Sequence, residues 1–178
     1  WKHRRQRQMC IRDRDKCIQD ITKWHGDAKF CVISGDLSEF AEKGAYQSLK
    51  KKLLEFQIPC FLMIGNHDDR DLFQSVFTNN PCDENKFVQS SLETDERVFI
   101  FLDTKKQGKN VHDGELCENR LDWLKKQLMN SSNKPTYLFM HHPPFDIGIP
   151  YMDNIRLFGS DQFLSCLLYT SPSPRDAS

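Results

Sequence analysis

The chain has 178 residues, carries no formal net charge at pH 7 and is 38% hydrophobic. This length and composition predict one domain with a sizeable core, and the balanced charge gives no bulk electrostatic reason to bind nucleic acid or an anionic membrane. No apolar run reaches the roughly 20 residues that a membrane span needs, and the basic start lacks the apolar stretch of a signal peptide. We therefore expect a soluble, cytoplasmic protein.

The cysteines do not form a recognisable framework. There are seven of them, an odd number, and no Cys-x-x-Cys pair occurs. This pattern indicates neither a set of disulfides nor a zinc ribbon. We expect reduced and mostly buried thiols.

The two ends differ in composition from the middle of the chain. Residues 4–15 form a charged run with poor apolar periodicity, and residues 167–178 change from an apolar pattern to Ser, Pro and Arg. Both ends resemble translated adaptor sequence, and the alternative is a pair of ordinary disordered tails. The expected organisation is a tail at 1–14, a domain at 15–168 and a tail at 169–178.

Short apolar runs alternate with helical patterns between these ends. In chain order, the patterns predict a helix at Asp15–Trp24, a strand at Phe30–Ser34, a helix at Glu42–Gln57, a strand at Cys60–Ile64, a strand at Arg97–Asp103, a helix at Cys117–Met129 and a strand at Thr136–Met140. The strands are rich in β-branched and aromatic residues, which is typical of central strands buried on both faces. The alternation predicts an α/β fold with a mainly parallel sheet and helices on its faces.

A polar cluster follows each predicted strand. The clusters are Gly35-Asp36, Gly65 to Asp69, Asp103-Thr104 and His141 to Pro144. In open α/β sheets, ligands bind at the carboxyl ends of the strands, where rigid strand ends hold side chains next to adaptable loops. If the strands are parallel neighbours, we expect these groups to converge.

Three side chains in these clusters suit a divalent metal ion. The carboxylate of Asp36, the amide oxygen of Asn66 and the imidazole of His141 are ligands that Mn, Fe or Zn accept. Each cluster also has a simpler interpretation, since Gly-Asp alone is a common turn. Their shared position at strand ends favours a site. Elsewhere the simpler interpretation is preferred: His25 as a cation at a helix C-terminus, and His112 to Glu115 as a loop turn.

Three motifs, in this order on successive strands, resemble the second, third and fourth motifs of the calcineurin-like metallophosphoesterase superfamily. They are Gly35-Asp36, Gly65-Asn66-His67-Asp68 and His141-His142-Pro143-Pro144. The branch most similar to the chain is the bacterial cyclic-AMP-hydrolysing group of cyclic-nucleotide phosphodiesterases, through GNHDDR, HDGELCENRLDWLKKQL and HHPPFDIGIPYMD. The resemblance implies a four-layer αββα sandwich and a centre of two divalent ions (Mn, Fe or Zn) that hydrolyses a phosphodiester, with a 3′,5′-cyclic nucleotide as the expected substrate.

The resemblance also implies a role for individual residues. Asp36 resembles the bridging carboxylate, and Asn66 and His141 resemble ligands of one ion. His67 resembles the catalytic histidine that donates to the phosphate or the leaving oxygen, with Asp68 orienting it. His142 is assigned to substrate binding or to support of its loop, and the apolar loop Phe145–Leu157 to shaping the substrate pocket or contacting a partner subunit, which leaves a homodimer open.

Two motifs of the superfamily do not occur in the chain. Asp-x-His is expected before Asp36, and Gly-His-x-His after the region of Gln162, and neither is present in the sequence. Because the middle motifs are intact, we expect a gene cut on both sides, leaving at most one partial metal site and an inactive fragment. The alternative is a metal-poor member of the fold that serves as a binding or scaffold module.

Overall fold

The computed structural model describes residues 13, 15–108, 111–131 and 134–170. His3, Cys10 and almost all of the two predicted tails lie outside these residues, so the division into tails and domain stays a prediction. Every helix in the described ranges is too short or too polar to cross a membrane.

The first half of the chain builds a parallel pair of strands covered by helices. Helical residues 15–24 form α1, followed by β1 (Cys31–Ile33), α2 (Lys43–Glu55), β2 (Cys60–Leu62) and α3 (Arg70–Val76). β1 and β2 run parallel, with Cys31 opposite Cys60. The apolar stripe of α2 faces inward, and one core cluster joins α2 and α3 to the sheet through Tyr46, Leu49, Leu62, Ile64 and Phe73.

The second half adds a mixed sheet with its own helices. Its elements are β3 (Ser90–Glu93), β4 (Val98–Phe101), β5 (Gly114–Glu115), α4 (Glu118–Asn130), β6 (Thr136–Phe139), α5 (Pro150–Asp153), β7 (Leu157–Phe158) and α6 (Ser160–Thr170). The strand order is β3-β4-β6, with β3 antiparallel and β6 parallel to β4, and β5 pairs separately with β7. A second core cluster packs α4 and α6 on this sheet through Val98, Ile100, Trp123, Leu124 and Phe163.

Aromatic side chains join the two sheets face to face. Phe61 of β2 stacks on Phe101 of β4 with 4.6 Å between ring centroids, and Phe30 meets Phe99 edge-on at 5.0 Å. The two helical clusters cover the sheets from the other sides. The layers therefore run helix, sheet, sheet, helix, which confirms the four-layer αββα arrangement that the family resemblance implied.

The alternation of strands and helices did not predict how the strands divide between sheets. Pairing among the named strands of the described residues is mainly parallel, as predicted, and β3–β4 is the antiparallel pair. The expectation of one sheet is wrong, because the predicted strands divide between two sheets. In the part of the chain that the structure describes, only β4 among them has neighbours on both sides, whereas β1, β2 and β6 each pair on one side. The expectation of buried central strands therefore holds for β4 alone.

The cysteines are also more accessible than expected. Of the six described cysteines, Cys17 and Cys82 are exposed, and the other four are half-buried. The prediction of mostly buried thiols is therefore wrong for the described residues.

Candidate metal centre

Two loops meet where β1 and β2 end. Because these strands are parallel, their carboxyl ends lie side by side and bring Gly35-Asp36 next to Gly65-Asn66. Gly35 has φ +116°, and Asp36 follows in the left-handed region at φ +53°. A Cβ on Gly35 would lie 2.6 Å from Nδ1 of His141 and 2.7 Å from the nitrogen of Gly65. Only glycine therefore allows the three loops to approach this closely.

His141 enters the same place from the end of β6. Its Nε2 lies 3.1 Å from Oδ1 of Asn66 and 3.5 Å from Oδ1 of Asp36. Its Nδ1 lies 2.9 Å from the carbonyl oxygen of Ser34. A carbonyl oxygen only accepts, so Nδ1 carries the proton of the neutral ring, and Nε2 presents a lone pair.

Three lone pairs therefore converge without a donor between them. Oδ1 of Asn66 and Oδ1 of Asp36 both face Nε2 of His141, at 3.1 Å and 3.5 Å. Such an arrangement is unfavourable unless a cation or a proton occupies the common point. A carboxylate, an amide oxygen and an imidazole are ligands of Mn, Fe and Zn, so the residues present fit a divalent metal ion.

The set is small for a complete metal site. Among the described residues, no group of three or more His, Cys, Asp and Glu side chains is arranged to hold a metal ion. The cluster described above contains two side chains of those types and one amide. It remains accessible, since the side chains of His141 and Asp36 are 19% and 39% exposed.

A family model described as calcineurin-like phosphoesterase matches residues 7–171 of the chain. The chain belongs to this family. The match extends beyond both ends of the domain predicted at 15–168.

Named relatives fall into two groups of phosphodiesterases. A probable cyclic nucleotide phosphodiesterase of Rhodopseudomonas palustris is 39% identical over 145 residues, covering 81% of this chain and 53% of the relative. The 3′,5′-cyclic adenosine monophosphate phosphodiesterase of Escherichia coli K12 is 31% identical over 133 residues, covering 71% and 44%. A probable glycerophosphodiester phosphodiesterase of Arcobacter nitrofigilis is 31% identical over 138 residues, covering 77% and 50%. The chain thus spans about half the length of these relatives.

The structure brings some candidate residues of the calcineurin-like motifs together and gives others different contacts from those expected. Asp36, Asn66 and His141 come together as predicted. His67 lies beside them, with its backbone nitrogen 3.1 Å from Oδ1 of Asp36. Its Nδ1 lies 3.0 Å from the carbonyl oxygen of Glu39 and must donate to it, which directs the other ring nitrogen away from this contact.

Asp68 has a different role from the one the resemblance implied. It is buried, and its carboxylate accepts hydrogen bonds from the backbone nitrogens of Leu37, Ser38 and Gly65 and from the hydroxyl of Tyr46, at 2.9 to 3.1 Å. Burial raises the pKa of Asp68, and these hydrogen bonds oppose the rise. Asp68 therefore ties the two motif loops together, while Glu39 rather than Asp68 orients the ring of His67.

His142 supports its loop and has no ring nitrogen left for a substrate. It is 2% exposed; Nδ1 lies 2.7 Å from the hydroxyl of Thr104 and Nε2 lies 3.2 Å from the carbonyl oxygen of His112. Nε2 must donate to that carbonyl, so Nδ1 accepts from Thr104. Of the two roles predicted for His142, this placement fits loop support and disagrees with substrate binding.

The neutral state of His142 makes stability depend on pH. Burial lowers the pKa of His142 to about 4, and the adjacent His141 acts in the same direction. The unfolded chain takes up this proton near pH 6.5, whereas the folded protein resists until about pH 4, so stability is lost as the pH falls. Between pH 7 and about 4.5 we expect this group to lower the unfolding free energy by about 2 kcal/mol.

Urea unfolding in EDTA measures this contribution. His142→Gln removes the titrating ring, so its unfolding free energy is expected to fall less over the same pH interval than that of the wild type. His25→Gln is the matched control, because His25 is exposed at the end of α1. Equal pH dependence in the wild type and in His142→Gln would contradict the assignment.

Sequence reasoning missed His112. Its Nδ1 lies 3.0 Å from Nδ2 of Asn66, and its ring is 5.5 Å from that of His67 between centroids. The interpretation of residues 112–115 as a simple turn is therefore wrong for His112, and Gly114–Glu115 is a strand, β5. The only available signal was a further histidine within a segment that resembled the family.

Asp103 and Thr104 do not join the three candidate ligands. Asp103 is fully buried and holds Arg70 and the backbone of Val88, while Thr104 holds His142. The expected convergence of all four strand-end clusters therefore holds for three of them. The fourth cluster, Asp103-Thr104, supports the site through its contacts with Arg70 and His142.

Proposed function

We propose that the chain is part of a metal-dependent phosphodiester hydrolase that acts on 3′,5′-cyclic nucleotides. The observation that carries the proposal is the convergence of lone pairs from Asp36, Asn66 and His141, because a divalent cation at their common point would stabilise it. Family membership supports the reaction class, and the names of relatives from Rhodopseudomonas palustris and Escherichia coli support the cyclic nucleotide.

The proposed metal ligands are Asp36, Asn66 and His141, and in the complete protein Asp36 would also help to hold a second ion. Divalent ions at such a site supply Lewis-acid polarisation of the phosphoryl oxygens and activate water at neutral pH. Ser34 fixes the ring of His141 through its carbonyl, so the ligand nitrogen is already aimed. Asp68 contributes by holding the loops of Asp36 and Asn66 at a fixed separation.

His67 is proposed to serve the leaving oxygen. Its Nδ1 is committed to Glu39, so Nε2 is the nitrogen that can reach a substrate. As water attacks phosphorus and the P–O ester bond breaks, Nε2 of the imidazolium form would donate its proton to the departing oxygen, and opening a cyclic diester in this way leaves a phosphomonoester.

The loop that follows His142 offers an apolar surface for a nucleobase. Four apolar side chains of this loop are exposed. The exposed fractions are 60% for Phe145, 45% for Ile147, 53% for Ile149 and 74% for Tyr151. A backbone hydrogen bond from Leu157 to Pro143 at 2.9 Å closes this loop at its base, next to His142. A planar base gains apolar contact on such a surface, whereas a glycerol group has little to bury there.

Hydrolysis assays on two proteins test the proposal. The first is this chain, and the second is an extended chimera in which it carries the flanking segments of the Rhodopseudomonas palustris relative. With Mn²⁺, we expect the chimera to hydrolyse cyclic AMP and bis(p-nitrophenyl) phosphate and the chain alone to show little or no turnover, because its sequence has neither Asp-x-His nor Gly-His-x-His. A chimera that folds and binds Mn²⁺ but hydrolyses neither compound would refute the proposal and favour a scaffold role.

A further inference from the structure

The side-chain amide of Asn66 is held between two histidines. Its Oδ1 lies 3.1 Å from Nε2 of His141, and its Nδ2 lies 3.0 Å from Nδ1 of His112. An amide nitrogen only donates, so Nδ1 of His112 must accept. The neutral ring of His112 therefore carries its proton on Nε2.

The opposite orientation of this amide would be unsuitable for a metal. The oxygen and nitrogen of an asparagine side chain occupy nearly equal volumes, so rotation by half a turn exchanges them with little change in packing. Nδ2 would then donate to His141, and Oδ1 would accept from a proton on Nδ1 of His112. A cation would meet two N–H groups in place of an oxygen. The position of one proton on His112 thus distinguishes the two orientations.

His112 is itself anchored by buried groups. Its carbonyl oxygen accepts from Nε2 of His142 at 3.2 Å, and His142 accepts from Thr104 at 2.7 Å. In the segment that connects β4 to β5, Lys106 and Asp113 form an ion pair at 2.8 Å. The buried side chains of His142 and Thr104 therefore hold the backbone of His112 in place, and the ring of His112 reaches Asn66 from this fixed position.

The segment that connects β4 to β5 also holds the backbone of Asn66. Nζ of Lys105 donates to the carbonyl oxygen of Asn66 at 3.0 Å. Burial lowers the pKa of Lys105, and the nearby Arg70 contributes in the same direction. Lys105 and His112 thus hold Asn66 at the main chain and at the side chain.

We infer that His112 is a positioning residue that selects the metal-binding orientation of Asn66, by accepting from Nδ2 so that Oδ1 faces Asp36 and His141. The inference rests on the proposed function, since it assumes a metal at these three groups. His112 acts through Asn66 and does not itself coordinate the ion.

Mn²⁺ affinity of this chain, measured by electron paramagnetic resonance, tests the inference without requiring turnover. His112→Ala removes the acceptor and is expected to weaken Mn²⁺ binding by about 10-fold or more, the usual effect of losing a group that orients a ligand. His112→Asn places an amide oxygen near the former Nδ1 and is expected to restore affinity to within about threefold of the wild type. His25→Ala, at an exposed site outside the cluster, is expected to bind Mn²⁺ like the wild type.

The protonation site of His112 gives a second readout that a purely structural role would not move. In ¹⁵N spectra of the Zn²⁺-loaded chain, we expect His112 as the tautomer with its proton on Nε2. A proton on Nδ1 in that state, or unchanged Mn²⁺ binding in a folded His112→Ala protein, would overturn the inference while leaving the proposed function intact. Failure of the proposed function looks different: the extended chimera would bind Mn²⁺ but hydrolyse neither phosphodiester, or Mn²⁺ binding would survive Asp36→Asn.

Discussion

Asp36→Asn in the extended chimera is expected to lower turnover of cyclic AMP by roughly 10³-fold. The substitution keeps an oxygen that can accept from the backbone nitrogen of His67, now at 3.1 Å, so the loop retains its hydrogen bond. It removes the negative charge that balances the proposed ions. Initial rates with Mn²⁺, compared with the unfolding midpoint of the same protein, separate a lost charge from a lost fold.

Asn66→Ala and His141→Ala are expected to abolish measurable turnover in the same chimera. Each removes one of the three converging lone pairs, so fewer ligands remain to hold an ion. His25→Ala is the control and is expected to retain full activity, because this exposed residue lies at the end of α1. Turnover that persists in both ligand variants would place the reaction elsewhere on the molecule.

The convergence of the three candidate ligands was predictable because each follows directly from a strand. Asp36 and Asn66 come after neighbouring parallel strands, so their convergence required only that β1 and β2 pair. His141 ends β6, which lies in the other sheet. Hydrophobic alternation cannot distinguish one sheet from two that face each other, since both bury short apolar strands between helices. The family resemblance, and not the periodicity, supplied the correct layers.

The supporting residues were not predictable from local pattern. Asp68 bonds to Leu37 and Ser38 across 31 and 30 positions of sequence, and His112 bonds to Asn66 across 46. A sequence motif shows that Asp68 follows His67, and this adjacency suggested that one orients the other. In the turn, however, successive side chains point in different directions, so Asp68 faces the core while His67 faces the site.

Asp103→Ala is expected to lower the unfolding free energy by about 3–5 kcal/mol. Asp103 is fully buried and accepts from Nε and Nη2 of Arg70 at 2.7 and 2.9 Å, while Arg120 lies 3.8 Å away and is itself only 2% exposed. Removing the carboxylate leaves the largely buried guanidinium group of Arg70 without its paired anion, and it leaves Arg120 with Glu115, at 3.4 Å, as its nearest carboxylate. A loss of this size is a large part of the 5–15 kcal/mol that typically separates folded from unfolded domains.

Urea unfolding of the metal-free chain measures this loss, with Asp95→Ala as the matched control. Asp95 is exposed in the turn between β3 and β4, so its substitution is expected to change the unfolding free energy by no more than about 0.5 kcal/mol. Asp103 also accepts from the backbone of Lys105 at 3.0 Å, and Lys105 in turn holds the carbonyl of Asn66. Mn²⁺ affinity should therefore fall in Asp103→Ala but not in Asp95→Ala. Equal stability of the two variants would contradict this role of Asp103. It would mean that the remaining partners of Arg120, which are the carbonyl oxygens of Asp103 and Lys105 at 2.9 and 3.0 Å and the carboxylate of Glu115 at 3.4 Å, suffice to keep the buried guanidinium groups in place.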